Sequence, residues 1–144
     1  MKSYIGIDPG KNGGIAILAD GLSPWAVKMP ETERDVWDTI RALRSWSDKT
    51  AIAAIEKVHA MPGQGVTSMF TFGQGYGALR MALIAAGISF REVTPQAWQK
   101  ALGCMTKGDK NASKAKAQEL FPSLKITHAI ADALLLAEWL RRQP

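Results

Sequence analysis

The stretch that decides the fold is YIGIDPGKNGGIAIL, residues 4–18. Its two ends are mainly apolar, and DPGKNGG between them consists of residue types that favour tight turns. This pattern predicts a strand over residues 4–8, a turn, and a second strand over residues 14–19 that pairs with the first. The first strand ends on Asp8, and an ionised carboxylate beside apolar residues is costly unless something polar or positive meets it. Asp8 therefore either caps a turn or awaits a cation.

Beyond this hairpin, the chain has the pattern of a mixed sheet flanked by helices. A third strand is predicted over residues 25–29, which completes an antiparallel meander. The wholly apolar run AIAAIE, residues 51–56, is typical of a strand buried on both faces in the parallel part of a sheet, and ISFREV, residues 88–93, is predicted to be the fifth strand. Helical spacing and turn residues predict helices at about 32–46, 72–86, 95–102, 112–120 and 128–142. The predicted fold class is therefore α/β, with three antiparallel strands followed by two parallel ones.

Length, charge and cysteine content limit the class of protein. With 144 residues, we expect a single domain spanning 1–144. The net charge of +5 suggests nucleic acid or another polyanion as partner. Cys104 is the only cysteine, so an internal disulfide is impossible and a reducing compartment is expected. No signal-peptide pattern or apolar run of ~20 residues is visible, which predicts a cytoplasmic protein.

Three acidic residues lie in apolar surroundings and need an explanation. Glu56 ends the fourth strand, as Asp8 ends the first, and Asp132 shares one face of the last helix with His128. If the two strands are neighbours, Asp8 and Glu56 meet at one edge of the sheet, where the last helix could add Asp132. Clustered carboxylates repel one another, and their hard oxygen atoms suit Mg²⁺ or Mn²⁺. The matching chemistry is phosphoryl transfer with two metals ~3.5–4 Å apart, one activating water and the other stabilising the leaving 3′ oxygen.

Each of these residues also has an ordinary structural explanation. Asp-Pro-Gly is a common turn sequence, Glu56 could simply reach water at a strand end, and Asp132 could pair locally. His128 could be a first-turn helical residue without any ligand role. Because all of them stand at ends of elements that can converge, we favour a shared site.

Basic residues are concentrated between residues 100 and 125. This segment has two acids, Asp109 and Glu119, against six lysines, at positions 100, 107, 110, 114, 116 and 125. Such a run is often only a solvated helix face. Beside a phosphodiester site it would bind phosphates, and the three lysines nearest the predicted 106–111 loop, Lys107, Lys110 and Lys114, are the better candidates.

The segment around the glycine-rich sequence GQGYG, residues 73–77, supplies two further candidates for contact with other molecules. In a loop beside the site, Phe70 and Phe72 could stack on bases, although core packing is the expected role of at least one of them. The helix predicted at 72–86 is apolar on more than one face. One face can cover the sheet, and another could form a two-fold dimer interface, unless it packs inside a monomer.

Five segments follow one another over nearly the whole chain: YIGIDPGKNGGIAIL, IEKVHAMPGQGVTSMFTFGQGYGAL, VTPQAWQKALG, GDKNASKAKAQELFP and HAIADALLLAEWL. In this order they resemble the RuvC-like Holliday junction resolvases of the ribonuclease H-like superfamily. The second segment resembles the small phage-type members most closely. The joint order of the motifs is far more specific than any one of them.

This resemblance implies a ribonuclease H-like fold and a homodimeric, Mg²⁺-dependent endonuclease, with Mn²⁺ as a substitute metal. Such enzymes cut two strands of a four-way DNA junction symmetrically and leave 5′-phosphate and 3′-hydroxyl ends. The family's catalytic and metal-binding acids fall on Asp8, Glu56 and Asp132, with Asp8 expected to bridge two metals. A further ligand falls on His128, four residues before Asp132, whereas some cellular members place it three residues before. The cytoplasm of a prokaryotic cell or of a phage-infected host is the implied location.

Other functions remain open at this stage. A broader ribonuclease H-like nuclease would act on flaps, other branched DNA or RNA–DNA hybrids. A non-catalytic module would bind junctions without cutting them. Actin-like sugar kinases also begin with a strand and an Asp-Gly hairpin, but they need two such domains, and 144 residues argue against that alternative.

Overall fold

The computed structural model describes residues 2–47, 50–58, 63–105 and 108–144. The strands found there are β1 (Ser3–Asp8), β2 (Gly14–Ala19), β3 (Trp25–Lys28), β4 (Ala51–Glu56) and β5 (Ser89–Val93). The helices are α1 (Glu33–Ser47), α2 (Val66–Ala85), α3 (Pro95–Leu102), α4 (Lys110–Leu120) and α5 (His128–Arg141). Within these residues no helix is both long and apolar enough to cross a membrane.

The strands form one five-stranded mixed sheet in the order β3-β2-β1-β4-β5. The first three strands are antiparallel, while β1 pairs in parallel with β4 and β4 in parallel with β5. Ile7 lies opposite Ile55, so β1 and β4 end side by side. The α/β fold predicted from the sequence, with three antiparallel strands and two parallel ones, is confirmed.

Alternating side chains of the sheet form two separate cores. Ile5 and Ile7 belong to the core covered by α1 and α2. On the other face, α5 packs directly on β1, and a β-carbon placed on Gly6 would lie 2.0 Å from the carbonyl oxygen of Ala133. Only glycine allows so close an approach of helix backbone to strand. This contact fixes the depth of α5, and with it the position of Asp132, over the end of β1.

Most predicted helices agree with the structure within a residue or two. Thr32 caps α1, since its Oγ1 accepts a hydrogen bond from the Asp35 N–H at 3.0 Å. The prediction for α2 is wrong at its start, because the helix begins at Val66 and includes Phe70 and Phe72, which were expected in a loop. The sequence MPGQG, residues 61–65, also predicts a loop, but residues 61 and 62 lie outside the described residues.

The early start of α2 has a physical reason. The predicted 72–86 helix already contained Gly73, Gly75 and Gly77, since an interior glycine costs only about 1 kcal/mol relative to alanine. The buried residues Leu79 and Leu83 anchor the second half of α2 on the sheet, and the helix continues through the glycines toward its N-terminus. Its first half is therefore largely exposed.

Candidate metal centre

Asp8, Glu56 and Asp132 come together at the end of the sheet where β1 and β4 stop. One carboxylate oxygen from each residue lies within 4.8 Å of the others, and all three side chains are partly buried. Within the described residues, this is the group of acids or other ligand side chains that could hold a metal ion. The convergence expected from the sequence is therefore observed.

Local structure explains why Asp8 faces this cluster. The parallel pairing of β1 with β4 brings the ends of both strands to the same edge. The β1–β2 turn then folds tightly back, and the Gly13 N–H donates to the Gly10 carbonyl at 3.0 Å. A β-carbon on Gly13 would lie 1.9 Å from the carbonyl oxygen of Asp8, so a larger residue there would displace the acid's backbone. The glycines of this turn let the chain reverse without covering the carboxylate.

The electrostatics of the cluster disfavour three ionised acids. Burial, followed by repulsion from Glu56 and Asp132, raises the pKa of Asp8 to about 8. Burial is also the main cause that raises the pKa of Glu56 to about 7, against the lowering effect of a hydrogen bond from Trp98. The pKa of Asp132 is raised overall. Burial raises it more than the hydrogen bond from Ser113 and the positive charge of Lys110 lower it. A divalent cation bound to these oxygen atoms would relieve the cost of ionising all three acids.

Two neutral side chains contact the acids, and sequence reasoning missed both. The indole N–H of Trp98, on α3, donates to Glu56 Oε2 at 2.9 Å. The Ser113 side chain, on α4, is hydrogen-bonded to Asp132. Apolar spacing in the short 95–102 segment could have indicated a buried Trp98, but no sequence signal identifies its partner, which is 42 residues away.

His128 is the first residue of α5 and lies one helical turn before Asp132. Its side chain is exposed and is not part of the three-carboxylate group. His128 is near enough for its protonated form to lower the pKa of Asp132. The ligand role of His128 therefore stays a prediction.

The candidate lysines are placed unequally around the acids. Lys110 begins α4, and its charge acts on both Asp8 and Asp132 to lower their pKa values. Lys114 lies one turn later on the same helix and is partly buried. Lys107 lies outside the described residues. Phosphate binding by these lysines stays a prediction.

Phe70 and Phe72 lie on the first half of α2, and both are exposed, at 68% and 37% respectively. The expectation that at least one of them packs in the core is therefore wrong. The ring of Phe72 adjoins the β1–β2 turn, since a β-carbon on Gly10 would come within 3.0 Å of it. Phe72 thus lies beside the turn that follows Asp8, although on a helix rather than in a loop.

A mixed sheet of this order, with carboxylates clustered at the ends of two parallel neighbours, has the ribonuclease H-like fold. Residues 4–138 match the family described as crossover junction endodeoxyribonuclease RuvC, and the chain belongs to this family. The predictions of a RuvC-like family member and of an endodeoxyribonuclease are confirmed at that level. Likeness to small phage-type members stays a prediction.

Solved structures share the fold at low sequence identity. One is described as T. thermophilus RuvC in complex with Holliday junction substrate. The two chains match with a TM-score of 0.68 and 18% identity, and the match covers 99% of this chain and 96% of the RuvC chain. A second, of Thermus thermophilus RuvC, has a TM-score of 0.65 and 17% identity and covers 97% of this chain and 95% of that one. Among curated proteins, none matches the sequence significantly.

Proposed function

We propose that this protein is a Mg²⁺-dependent endonuclease that resolves four-way DNA junctions by paired, symmetric hydrolysis. The products would carry 5′-phosphate and 3′-hydroxyl ends. The observation that carries this proposal is the convergence of Asp8, Glu56 and Asp132, with oxygen atoms within 4.8 Å of one another, in a member of the RuvC family. We further propose that residues 1–144 form one nuclease domain and that it acts in the cytoplasm of a prokaryotic cell or an infected host.

The three carboxylates, together with His128, are the proposed ligands of two Mg²⁺ ions, with Mn²⁺ as a substitute. Bound there, the metals would supply charge for activating water and for stabilising the leaving 3′ oxygen. The protein provides a rigid frame of oxygen atoms, since Asp8 and Glu56 stand on paired strands and Asp132 stands on a helix packed against β1. The positive charge of Lys110 lies near these carboxylates, where it would attract a phosphate.

Branched DNA is the proposed substrate, with Lys107, Lys110 and Lys114 contacting phosphates. A basic run beside the acids would offset the repulsion between the acidic cluster and the DNA backbone. Phe70 and Phe72 project from the exposed half of α2, and Phe72 adjoins the turn after Asp8, so bases splayed at a junction could stack there. The fold shared with a RuvC described in complex with a Holliday junction substrate supports this proposal.

A homodimer is the proposed assembly, formed through the outer face of α2. Met81 and Ile84 are 58% and 56% exposed on this face. A β-carbon on Gly73 or Gly77 would meet nothing within 4 Å, so the helix of a partner protomer could approach closely there. Two-fold symmetry would give one junction two active sites, as two symmetric cuts require.

The test compares cleavage of a labelled synthetic four-way junction with cleavage of matched duplex, flap and RNA–DNA hybrid substrates, in Mg²⁺ and in EDTA. We expect paired symmetric nicks in the junction that need Mg²⁺. Equal or better cutting of flaps or hybrids would instead favour a broader nuclease. Junction binding without any cutting in Mg²⁺ or Mn²⁺ would leave only a binding module and would contradict the proposal.

A further inference from the structure

The Trp98 side chain is fully buried, and the helix that carries it is capped at both ends. Its relative exposure is 0%, and it lies in the core that α5 forms with one face of the sheet. The helix that carries it is fixed at both ends. Thr94 Oγ1 accepts a hydrogen bond from the Ala97 N–H at 3.2 Å, and Gly103 closes the C-terminus in a left-handed conformation. The indole therefore has a fixed direction, and its N–H points at Glu56.

The chemistry of an indole suits a contact with a metal ligand. Indole N–H is a donor only and cannot itself compete for a cation as a ligand. It donates to Glu56 Oε2 at 2.9 Å, which leaves Oε1 free of this bond. A lysine or arginine at this position would neutralise the carboxylate and repel a divalent ion. A neutral donor instead holds the carboxylate in place while its negative charge remains available.

A second acid of the cluster also has a neutral partner. Ser113, only 4% exposed, hydrogen-bonds Asp132 and is likewise a neutral donor. Trp98 and Ser113 come from α3 and α4, which are consecutive helices. Two of the three carboxylates thus have a buried, uncharged partner that can orient them.

We propose that Trp98 is a positioning residue, which holds the Glu56 carboxylate in its metal-binding orientation through the indole N–H. This proposal rests on the metal site proposed above. It assigns to Trp98 an effect on metal affinity that a purely space-filling residue would not have, because loss of an outer hydrogen-bond partner typically weakens metal binding.

The decisive variant removes the N–H but preserves the shape of the side chain. We would replace Trp98 with β-(3-benzothienyl)alanine, whose sulfur atom stands where the indole N–H was, and prepare Trp98→Phe in parallel. The control is Trp25→Phe, a tryptophan 43% exposed on the edge strand β3. The full-length proteins are titrated with Mn²⁺ by calorimetry without DNA, and near-UV circular dichroism verifies the fold of each.

We expect the Mn²⁺ dissociation constant to rise about 10-fold in the benzothienyl variant and at least as much in Trp98→Phe, and to stay unchanged in Trp25→Phe. If the benzothienyl protein folds normally and binds Mn²⁺ as tightly as the wild type, Trp98 only fills space and the proposal is wrong. If the wild type itself binds no Mn²⁺, both the proposed metal site and the proposed role of Trp98 are wrong. The two failures are therefore distinguishable.

Discussion

Replacing Asp8 with asparagine should inactivate the protein and also make its metal-free form more stable. Asparagine keeps the approximate shape of the side chain but removes its negative charge. Without that charge the cluster loses a central oxygen ligand, and we expect junction cleavage to fall by at least ~10³-fold. Junction binding should persist, because the basic residues and the exposed aromatics are unchanged.

The stability effect follows from the pKa of Asp8, which burial and the neighbouring acids raise from 3.8 to about 8. The folded state therefore holds this proton more tightly than the unfolded chain does. The resulting stability is complete below about pH 4 and is lost as the pH rises through the folded-state pKa, at about 1.4 kcal/mol per pH unit. Between about pH 5 and pH 7.5, the free energy of unfolding of the metal-free wild type should fall by about 3 kcal/mol relative to that of Asp8→Asn.

The assay is urea unfolding of both proteins in EDTA at these two pH values, repeated with saturating Mg²⁺. In EDTA, we expect the stability of Asp8→Asn to rise relative to that of the wild type at the higher pH. With saturating Mg²⁺, we expect the wild type to be the more stable protein. An unchanged difference between the two proteins across this pH range would refute the inference that Asp8 is held protonated by burial. Retained cleavage in Asp8→Asn would refute its role at the metal site.

Three further predictions use other parts of the structure. Mg²⁺ should raise the melting temperature more at about pH 8 than at about pH 6, because cation binding must displace protons from the acid cluster; an equal shift in calorimetric scans would contradict this. Gly6→Ala should lower the free energy of unfolding by about 3 kcal/mol, since its β-carbon would meet the Ala133 carbonyl. Gly75→Ala, whose β-carbon would meet nothing within 4 Å, should raise it by about 0.5–1 kcal/mol; denaturant melts measure both effects. Ile84→Glu should convert the proposed dimer to folded monomers in analytical ultracentrifugation; a dimer that survives the charge would place the interface elsewhere.

Much of this fold was predictable because the sequence patterns are local. The DPGKNGG turn predicts the β1–β2 hairpin, and the unbroken apolar run AIAAIE predicts a strand covered on both faces. Asp8 and Glu56 could be predicted to meet, since each ends a strand and parallel neighbours end at the same edge. Asp132 followed from its place on the packed face of the last helix.

Other features depend on tertiary contacts that no local pattern reveals. Residues 66–71, the first turns of α2, were not predicted to be helical, because Leu79 and Leu83, which anchor this helix on the sheet, lie later along the chain. The bond from Trp98 to Glu56 joins residues 42 positions apart. Whether a buried tryptophan meets a carboxylate or another apolar group is decided by the packing of α3 on the sheet, which spacing alone does not specify.

The central claim is that Asp8, Glu56 and Asp132 form a divalent metal site, and a Mn²⁺-soaked crystal tests it most directly. The anomalous difference map should show manganese bound to carboxylate oxygens of all three residues, and Asp8→Asn crystals treated identically should lose or weaken that density. Manganese density elsewhere, or none at these carboxylates in a protein that still cuts junctions with Mn²⁺, would contradict the account.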